Sequence, residues 1–121
     1  MKTLLLALLS TATVCASSVT DHLGLQLYSL RVTTMQKGWR AALDETHALG
    51  FTYIEGGSPP KGVTVDEYKA QLAARGLTMV SAHYSYERLT KDVASAVAEA
   101  KALGVQYACV AWIPHLSLIH I

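Results

Sequence analysis

The sequence repeats one pattern of secondary-structure signals about every 27 residues. Runs rich in apolar and β-branched residues begin near positions 23, 51, 77 and 105, and the segments between them space their apolar residues as helices do. Gly50, Gly76 and Gly104 stand directly before the later runs, where a glycine commonly ends a helix. This order of elements, strand, helix, glycine and next strand, repeats about every 27 residues. It predicts parallel strands joined by crossover helices.

Local signals set the expected boundaries of each unit. We predict strands at 23–28, 51–55, 77–83 and 105–112, and helices near 36–49, 64–75 and 90–103. Residues 56–60, Gly-Gly-Ser-Pro-Pro, are predicted as a loop. Thr64 followed by Glu67 has the spacing of a capping box, with the threonine as the helix cap. The nearly continuous apolar character of the fourth strand favours a sheet covered on both faces.

This repeat is typical of two architectures, the closed eight-unit barrel and the open doubly wound sheet. Eight units of this length come to about 220 residues, close to the usual size of a barrel. The chain has 121 residues and holds three units and a fourth strand. We therefore expect an α/β fold that is part of a longer protein, and a fragment that is inactive by itself.

The first sixteen residues have the character of a secretory signal peptide. Lys2 gives a positive start, residues 4–9 form a compact apolar run, and Ala16 closes a small-residue cleavage site. The apolar run is too short to span a bilayer. We expect cleavage after Ala16 and export to the periplasm or beyond, with no membrane attachment afterwards. A lipoprotein acylated at Cys15 is the alternative, but Val14 is a poor residue before such a cysteine.

The last six residues, 116–121, abandon the repeat. The codons CTG TCT CTT ATA CAC ATC encode Leu-Ser-Leu-Ile-His-Ile and match the end of a common sequencing transposon. We therefore interpret 116–121 as a non-native tail from adapter read-through, and 17–115 as the natural partial barrel domain. The alternative is a short apolar segment that leads into the next helix.

Composition excludes several classes of partner. The chain is 51% hydrophobic and 16% charged with a net charge of +1, which predicts a packed core and no basic face for nucleic acid. P-loop, G-x-G-x-x-G, HExxH and paired C-x-x-C motifs are all absent from the sequence. After signal cleavage Cys109 is the remaining cysteine, and we interpret it as a small buried hydrophobic residue.

Candidate site residues follow from where the predicted strands end, because the functional face of parallel α/β folds lies at the carboxyl ends of the strands. Polar and aromatic residues occur at all four ends and are expected to converge on one concave site. The candidates for substrate binding are Gln26, Tyr28, Glu55, His83, Trp112 and His115.

Several candidates also have an ordinary structural interpretation. Glu55 is equally typical of a solvated loop carboxylate, and His83 of a hydrogen-bonded histidine at a strand end. Trp112 could simply line the core. Gln26 and Tyr28 could fill the interior of a barrel.

Five segments resemble the xylose-isomerase-like sugar phosphate isomerase/epimerase family, within the AP endonuclease family 2 superfamily. The resemblance extends over about residues 22–115, and the segments read LGLQLYSLR (23–31), ALGFTYIE (48–55), GLTMVSAH (76–83), AKALG (100–104) and WIPH (112–115). The resemblance implies the N-terminal half of a (β/α)8 TIM barrel, with about three βα units and a fourth strand, preceded by the signal peptide.

The resemblance also implies a divalent metal, Mn²⁺, Mg²⁺ or a similar ion, in the full-length protein. The family's glutamate, aspartate and histidine ligands come from later strands, where the metal polarises the substrate and acidic residues move the proton. We therefore expect no metal site and no catalytic residue in this fragment. His83 stands where related DNA-repair endonucleases use a metal-binding histidine, but in isomerase-like members that position serves the substrate pocket.

We expect the parent protein to be an exported isomerase or epimerase of a sugar, a polyol or a keto-sugar. Phosphorylated sugars are metabolites of the cytoplasm, so a free sugar or keto-sugar fits an exported enzyme better than the sugar phosphate in the family's name. Two alternatives stay open: a non-catalytic carbohydrate-binding barrel, and an abasic-site endonuclease, which the near-zero charge disfavours.

Overall fold

The fold is described from a computed structural model, which places residues 23–114. The predicted signal peptide, the candidate His115 and the tail at 116–121 lie outside the described residues.

Four parallel strands form one sheet in the order β1-β2-β3-β4. The strands are β1 (Gly24–Gln26), β2 (Tyr53–Gly57), β3 (Thr78–Tyr84) and β4 (Tyr107–Val110). Each strand pairs with its neighbour in sequence, as in a barrel, whereas a doubly wound sheet reverses its order at a switch point. The α/β prediction is confirmed, and the four strands fit half of a TIM barrel.

Helices occupy the connections between the strands. They are α1 (Arg31–Lys37), α2 (Trp39–Ala48), α3 (Val65–Ala73), α4 (Tyr86–Lys91) and α5 (Val93–Leu103), with a 3-10 helix at Leu27–Leu30. Among the described residues, no helix has the length and apolar character needed to cross a membrane.

The predicted helix near 36–49 is two helices, because Gly38 between them has φ 90° and ψ 162°, which no helix accommodates. The predicted helix near 90–103 begins slightly later, since Thr90 lies inside α4 and α5 starts at Val93. Asp92 instead caps α5, where its side chain accepts a hydrogen bond from the Ser95 N–H at 3.3 Å.

Other local signals gave the right helix ends. The Thr64 side chain accepts a hydrogen bond from the Glu67 N–H at 3.1 Å, as its capping position predicts. Gly104 follows α5 in the left-handed conformation (φ 79°), and its N–H donates to the carbonyls of Ala100 and Lys101. A side chain at this φ would be strained, which explains why a glycine ends the helix.

The hydrophobic core lies between one face of the sheet and helices α2, α3 and α5. The sheet contributes Ile54, Met79, Ala82 and Tyr84, all at most 4% exposed. The helices contribute Leu43, Tyr68, Leu72, Ala96 and Leu103. With helices packed on this face, the opposite face of the sheet corresponds to the inside of a barrel.

Three strand predictions need correction. The first strand is shorter than predicted, because Leu27 and Tyr28 belong to the 3-10 helix. The predicted loop residues Gly56 and Gly57 belong to β2, because they pair with Ala82 and His83. Gly56 packs against Met79: a Cβ at this position would lie 2.9 Å from the Met79 Cε atom, the end of a flexible side chain that would have to move. The fourth strand is shorter than predicted, and it is not covered on both faces in the described part of the chain: Tyr107 is 66% exposed.

A β-bulge in β3 sets which side chains reach the inner face. Ile54 pairs with Met79, but Glu55 pairs with Ser81, so Val80 is an extra residue in β3. Side chains alternate between the faces of a strand, and without the extra residue Ser81 would share a face with Met79. The bulge therefore turns Ser81 and, two residues on, His83 away from the core and towards the inner face.

Candidate functional site

Polar side chains of all four strands lie together on the inner face of the sheet. Strand pairing aligns Gln26 with Glu55, Glu55 with Ser81, and His83 with Cys109. Paired residues of parallel strands point to the same face, so these five side chains project from one surface. We call them the strand-end cluster.

The Glu55 carboxylate is the centre of the cluster. Its Oε1 atom accepts a hydrogen bond from Gln26 Nε2 at 2.6 Å and lies 2.9 Å from His83 Nε2. Glu55 and His83 are about one-third and one-quarter exposed, so both are reachable by a small molecule. The structure thus brings together three of the six candidate residues.

The environment of Glu55 lowers its pKa below the ordinary value of 4.5. The hydrogen bond from Gln26 is the largest cause; desolvation opposes it, while the charge of His83 and hydrogen bonds from Ser81 and His83 add to the lowering. A carboxylate with a lowered pKa stays ionised at neutral pH. Glu55 is therefore an acceptor of hydrogen bonds and a poor general base near pH 7, where catalytic bases have pKa values close to the working pH.

Ser81 and Cys109 were not among the sequence candidates. The Ser81 Oγ and Cys109 Sγ atoms are 3.2 Å apart, and Cys109 is half-buried rather than a core residue. Their position depends on the bulge and on the register between β3 and β4, neither of which has a local sequence signal. The sequence indicated only that Cys109 lies on the last predicted strand, not which face of the sheet it occupies.

Three metal-binding residue types meet in the cluster. One donor atom from each of Glu55, His83 and Cys109 lies within 4.8 Å of the others. These residues come from three adjacent strands, so rigid elements hold their spacing.

A cavity of about 540 Å³ opens beside the cluster. Gln26, Glu55 and His83 form its polar side, and Trp39 and Tyr68 line its apolar side, with their rings in edge-to-face contact at 5.4 Å. This volume is within the usual range for small-molecule sites, which combine an apolar lining with a few placed polar groups.

Tyr28 and Trp112 lie on different sides of the cluster. Tyr28 is in the 3-10 helix, 69% exposed, at the rim of the large cavity, with the Arg31 guanidinium 5.0 Å from its ring centre. Trp112 is 65% exposed and lines a second hollow of about 410 Å³. His83 lines both hollows, so the described strand ends form two adjoining concave surfaces rather than one.

The chain is similar in fold to two crystal structures, each of a sugar phosphate isomerase/epimerase from Parabacteroides distasonis. The first has a TM-score of 0.60 and 23% identity over 78% of this chain. The second has a TM-score of 0.61 and 21% identity over 88% of this chain. No family model matches the sequence, and no curated protein does.

The chain spans 42% and 44% of the length of these two proteins. The similarity therefore concerns less than half of each. It agrees with the sheet order and with the resemblance seen in the sequence. The chain has the α/β fold of part of a TIM barrel, similar to that of the sugar phosphate isomerase/epimerase structures.

Proposed function

We propose that this chain is the N-terminal part of an exported isomerase or epimerase that acts on a free sugar or keto-sugar. The observation that carries the proposal is the linked group of Gln26, Glu55 and His83 beside a cavity with an aromatic side. The fold similarity to proteins of that name supports the same reaction class. Export, expected from the first sixteen residues, favours a substrate without phosphate.

In this proposal the three residues bind and orient sugar hydroxyls. The ionised Glu55 carboxylate accepts hydrogen bonds from hydroxyl groups, and the Gln26 amide offers both a donor and an acceptor. The Trp39 and Tyr68 rings give the apolar C–H face of a sugar a surface to pack against. We assign the proton transfer between carbons to acidic residues on later strands of the whole protein, as the family resemblance implies.

The Mn²⁺ or Mg²⁺ expected for the family does not fit the strand-end cluster. Both ions prefer sets of oxygen ligands. Glu55 is the one carboxylate in the cluster, and the other strong donors are an imidazole and a thiol. A site for these ions therefore needs ligands from outside the strand-end cluster.

The test uses the whole protein, purified and supplied with Mn²⁺, with a panel of aldoses, ketoses and keto-glycosides. We expect one of them to be converted, with a KM that rises about tenfold or more in Glu55→Gln and in Gln26→Leu while kcat changes less, since each change removes a hydrogen bond to the substrate or to Glu55. His47→Gln, on the exposed side of α2, is the matched control.

The proposal fails if no member of the panel is converted, or if KM changes equally in His47→Gln. Sugar binding that depends on Glu55 without turnover would identify the carbohydrate-binding alternative instead.

A further inference from the structure

We propose that Glu55, His83 and Cys109 form a binding site for a divalent transition-metal ion of the Zn²⁺ type. This site is separate from the Mn²⁺ or Mg²⁺ site expected for the family, and it does not depend on the sugar chemistry proposed above. It uses a cysteine that the sequence interpretation had assigned to the core.

The spacing of the three donor atoms suits a tetrahedral ion. Zn²⁺ binds nitrogen and oxygen at about 2.0–2.1 Å and sulfur at about 2.3 Å, so two ligand atoms of one ion are about 3.3–3.7 Å apart. The donor atoms of Glu55, His83 and Cys109 are all within 4.8 Å of each other, and Glu55 Oε1 is 2.9 Å from His83 Nε2. Small rotations of the side chains bring these distances into the required range without movement of the strands.

The neighbouring residues already hold the donors in place. The Gln26 amide donates to the carboxylate of Glu55, and the Ser81 hydroxyl contacts the sulfur of Cys109. Hydrogen bonds of this kind orient ligand side chains in metal sites and strengthen their binding. All five residues stand on paired strands, which keeps the donors close before an ion arrives.

Charge balance and ligand type both favour a Zn²⁺-like ion. On binding, the Cys109 thiol releases its proton to solvent, and the His83 Nε2 atom gives up the proton that it shares with Glu55, so that the neutral imidazole keeps its proton on Nδ1. The hydrogen bond between Glu55 and His83 then gives way to two bonds to the ion. One thiolate and one carboxylate then neutralise the double positive charge, with His83 as a neutral ligand. Thiolate and imidazole ligands select Zn²⁺ and similar ions over Mg²⁺ and Ca²⁺.

Three protein ligands leave one tetrahedral position for water or for an oxygen atom of a bound molecule. Sites of this composition are typical of catalytic rather than purely structural zinc. Glu55 and His83 also line the large cavity, so a molecule bound in that cavity would lie beside the ion.

Cobalt binding tests the site directly, because Co²⁺ replaces Zn²⁺ and reports a thiolate ligand by a charge-transfer absorption band in the near ultraviolet. The chain carries two cysteines, so a Cys15→Ser background leaves Cys109 as its sole thiol. We expect one equivalent of Co²⁺ to produce the band and Zn²⁺ to abolish it. The band should disappear in Cys109→Ser, and affinity should fall at least about tenfold in His83→Gln and Glu55→Gln.

His47→Gln is the matched control, since this histidine lies on the exposed side of α2, and it should bind Co²⁺ as the background protein does. Circular dichroism establishes that each variant is folded, and Cys109→Ala replaces Cys109→Ser if the serine variant is not. The proposal is overturned if the folded background protein shows no band with Co²⁺, if the band survives the loss of Cys109, or if affinity depends on His47 as strongly as on His83.

Discussion

Arg88 joins three parts of the fold through its guanidinium group. Its Nη1 and Nη2 atoms donate to the two carboxylate oxygens of Glu99 on α5, at 3.2 and 3.0 Å. Nη1 also donates to the Ser58 hydroxyl after β2 at 2.7 Å, and the guanidinium lies 5.0 Å from the ring centre of Tyr84. We predict that the Arg88–Glu99 pair contributes measurably to the stability of the domain.

The magnitude follows from the partial burial of the pair. The Arg88 and Glu99 side chains are 26% and 18% exposed. Removing one partner of a fully buried pair costs about 3–5 kcal/mol, whereas exposed pairs contribute about 0–1 kcal/mol. We therefore expect Arg88→Met to lower the free energy of unfolding by about 2–3 kcal/mol, because it leaves the Glu99 carboxylate without its cation.

A double-mutant cycle in urea, followed by circular dichroism, measures the interaction itself. Arg88→Met, Glu99→Gln and the double variant should give a coupling energy of about 1–2 kcal/mol. Lys91 and Glu87 form a control pair on the same region of chain, at 73% and 71% exposure, with an expected coupling of no more than about 0.5 kcal/mol. Equal coupling energies for the two pairs would refute the argument from burial.

Two further predictions concern acid stability and the core. Burial raises the pKa of Glu99, but hydrogen bonds from Arg88 and Ser58 and the charge of Arg88 lower it more, so the net pKa is below 4.5. The native carboxylate thus resists protonation, and its stabilisation, present above the unfolded pKa, is lost as the pH falls through the lower native value. The urea midpoint of unfolding, measured between about pH 3 and pH 7, should decrease less steeply towards acid pH in Glu99→Gln than in the unsubstituted protein. The same pH dependence in both proteins would contradict this. Ile54→Ala should cost about 2–5 kcal/mol in the same denaturation assay, because Ile54 is 0% exposed. Val97→Ala, at a residue 45% exposed, should cost much less, and similar losses would show that Ile54 is not a core residue.

The candidate site was only partly predictable, and the reason is physical. Gln26, Glu55 and His83 could be chosen because the carboxyl ends of parallel strands form one edge of the sheet. The sequence could not predict that Cys109 lies beside His83, because the alignment of these two residues depends on the register between β3 and β4. Register is a property of two strands together, and a shift of one residue moves every side chain to the other face.

The sequence by itself determined the spacing of the strands along the chain and the ends of several helices. Gly104 ends α5 and Thr64 caps α3 through interactions within a few residues, so both could be inferred from local chemistry. The tertiary structure decided that Gly56 and Gly57 extend β2, that Val80 bulges, and that Cys109 lies beside Glu55 and His83. These features arise from contacts between strands more than twenty residues apart, and such contacts leave no local pattern in the chain.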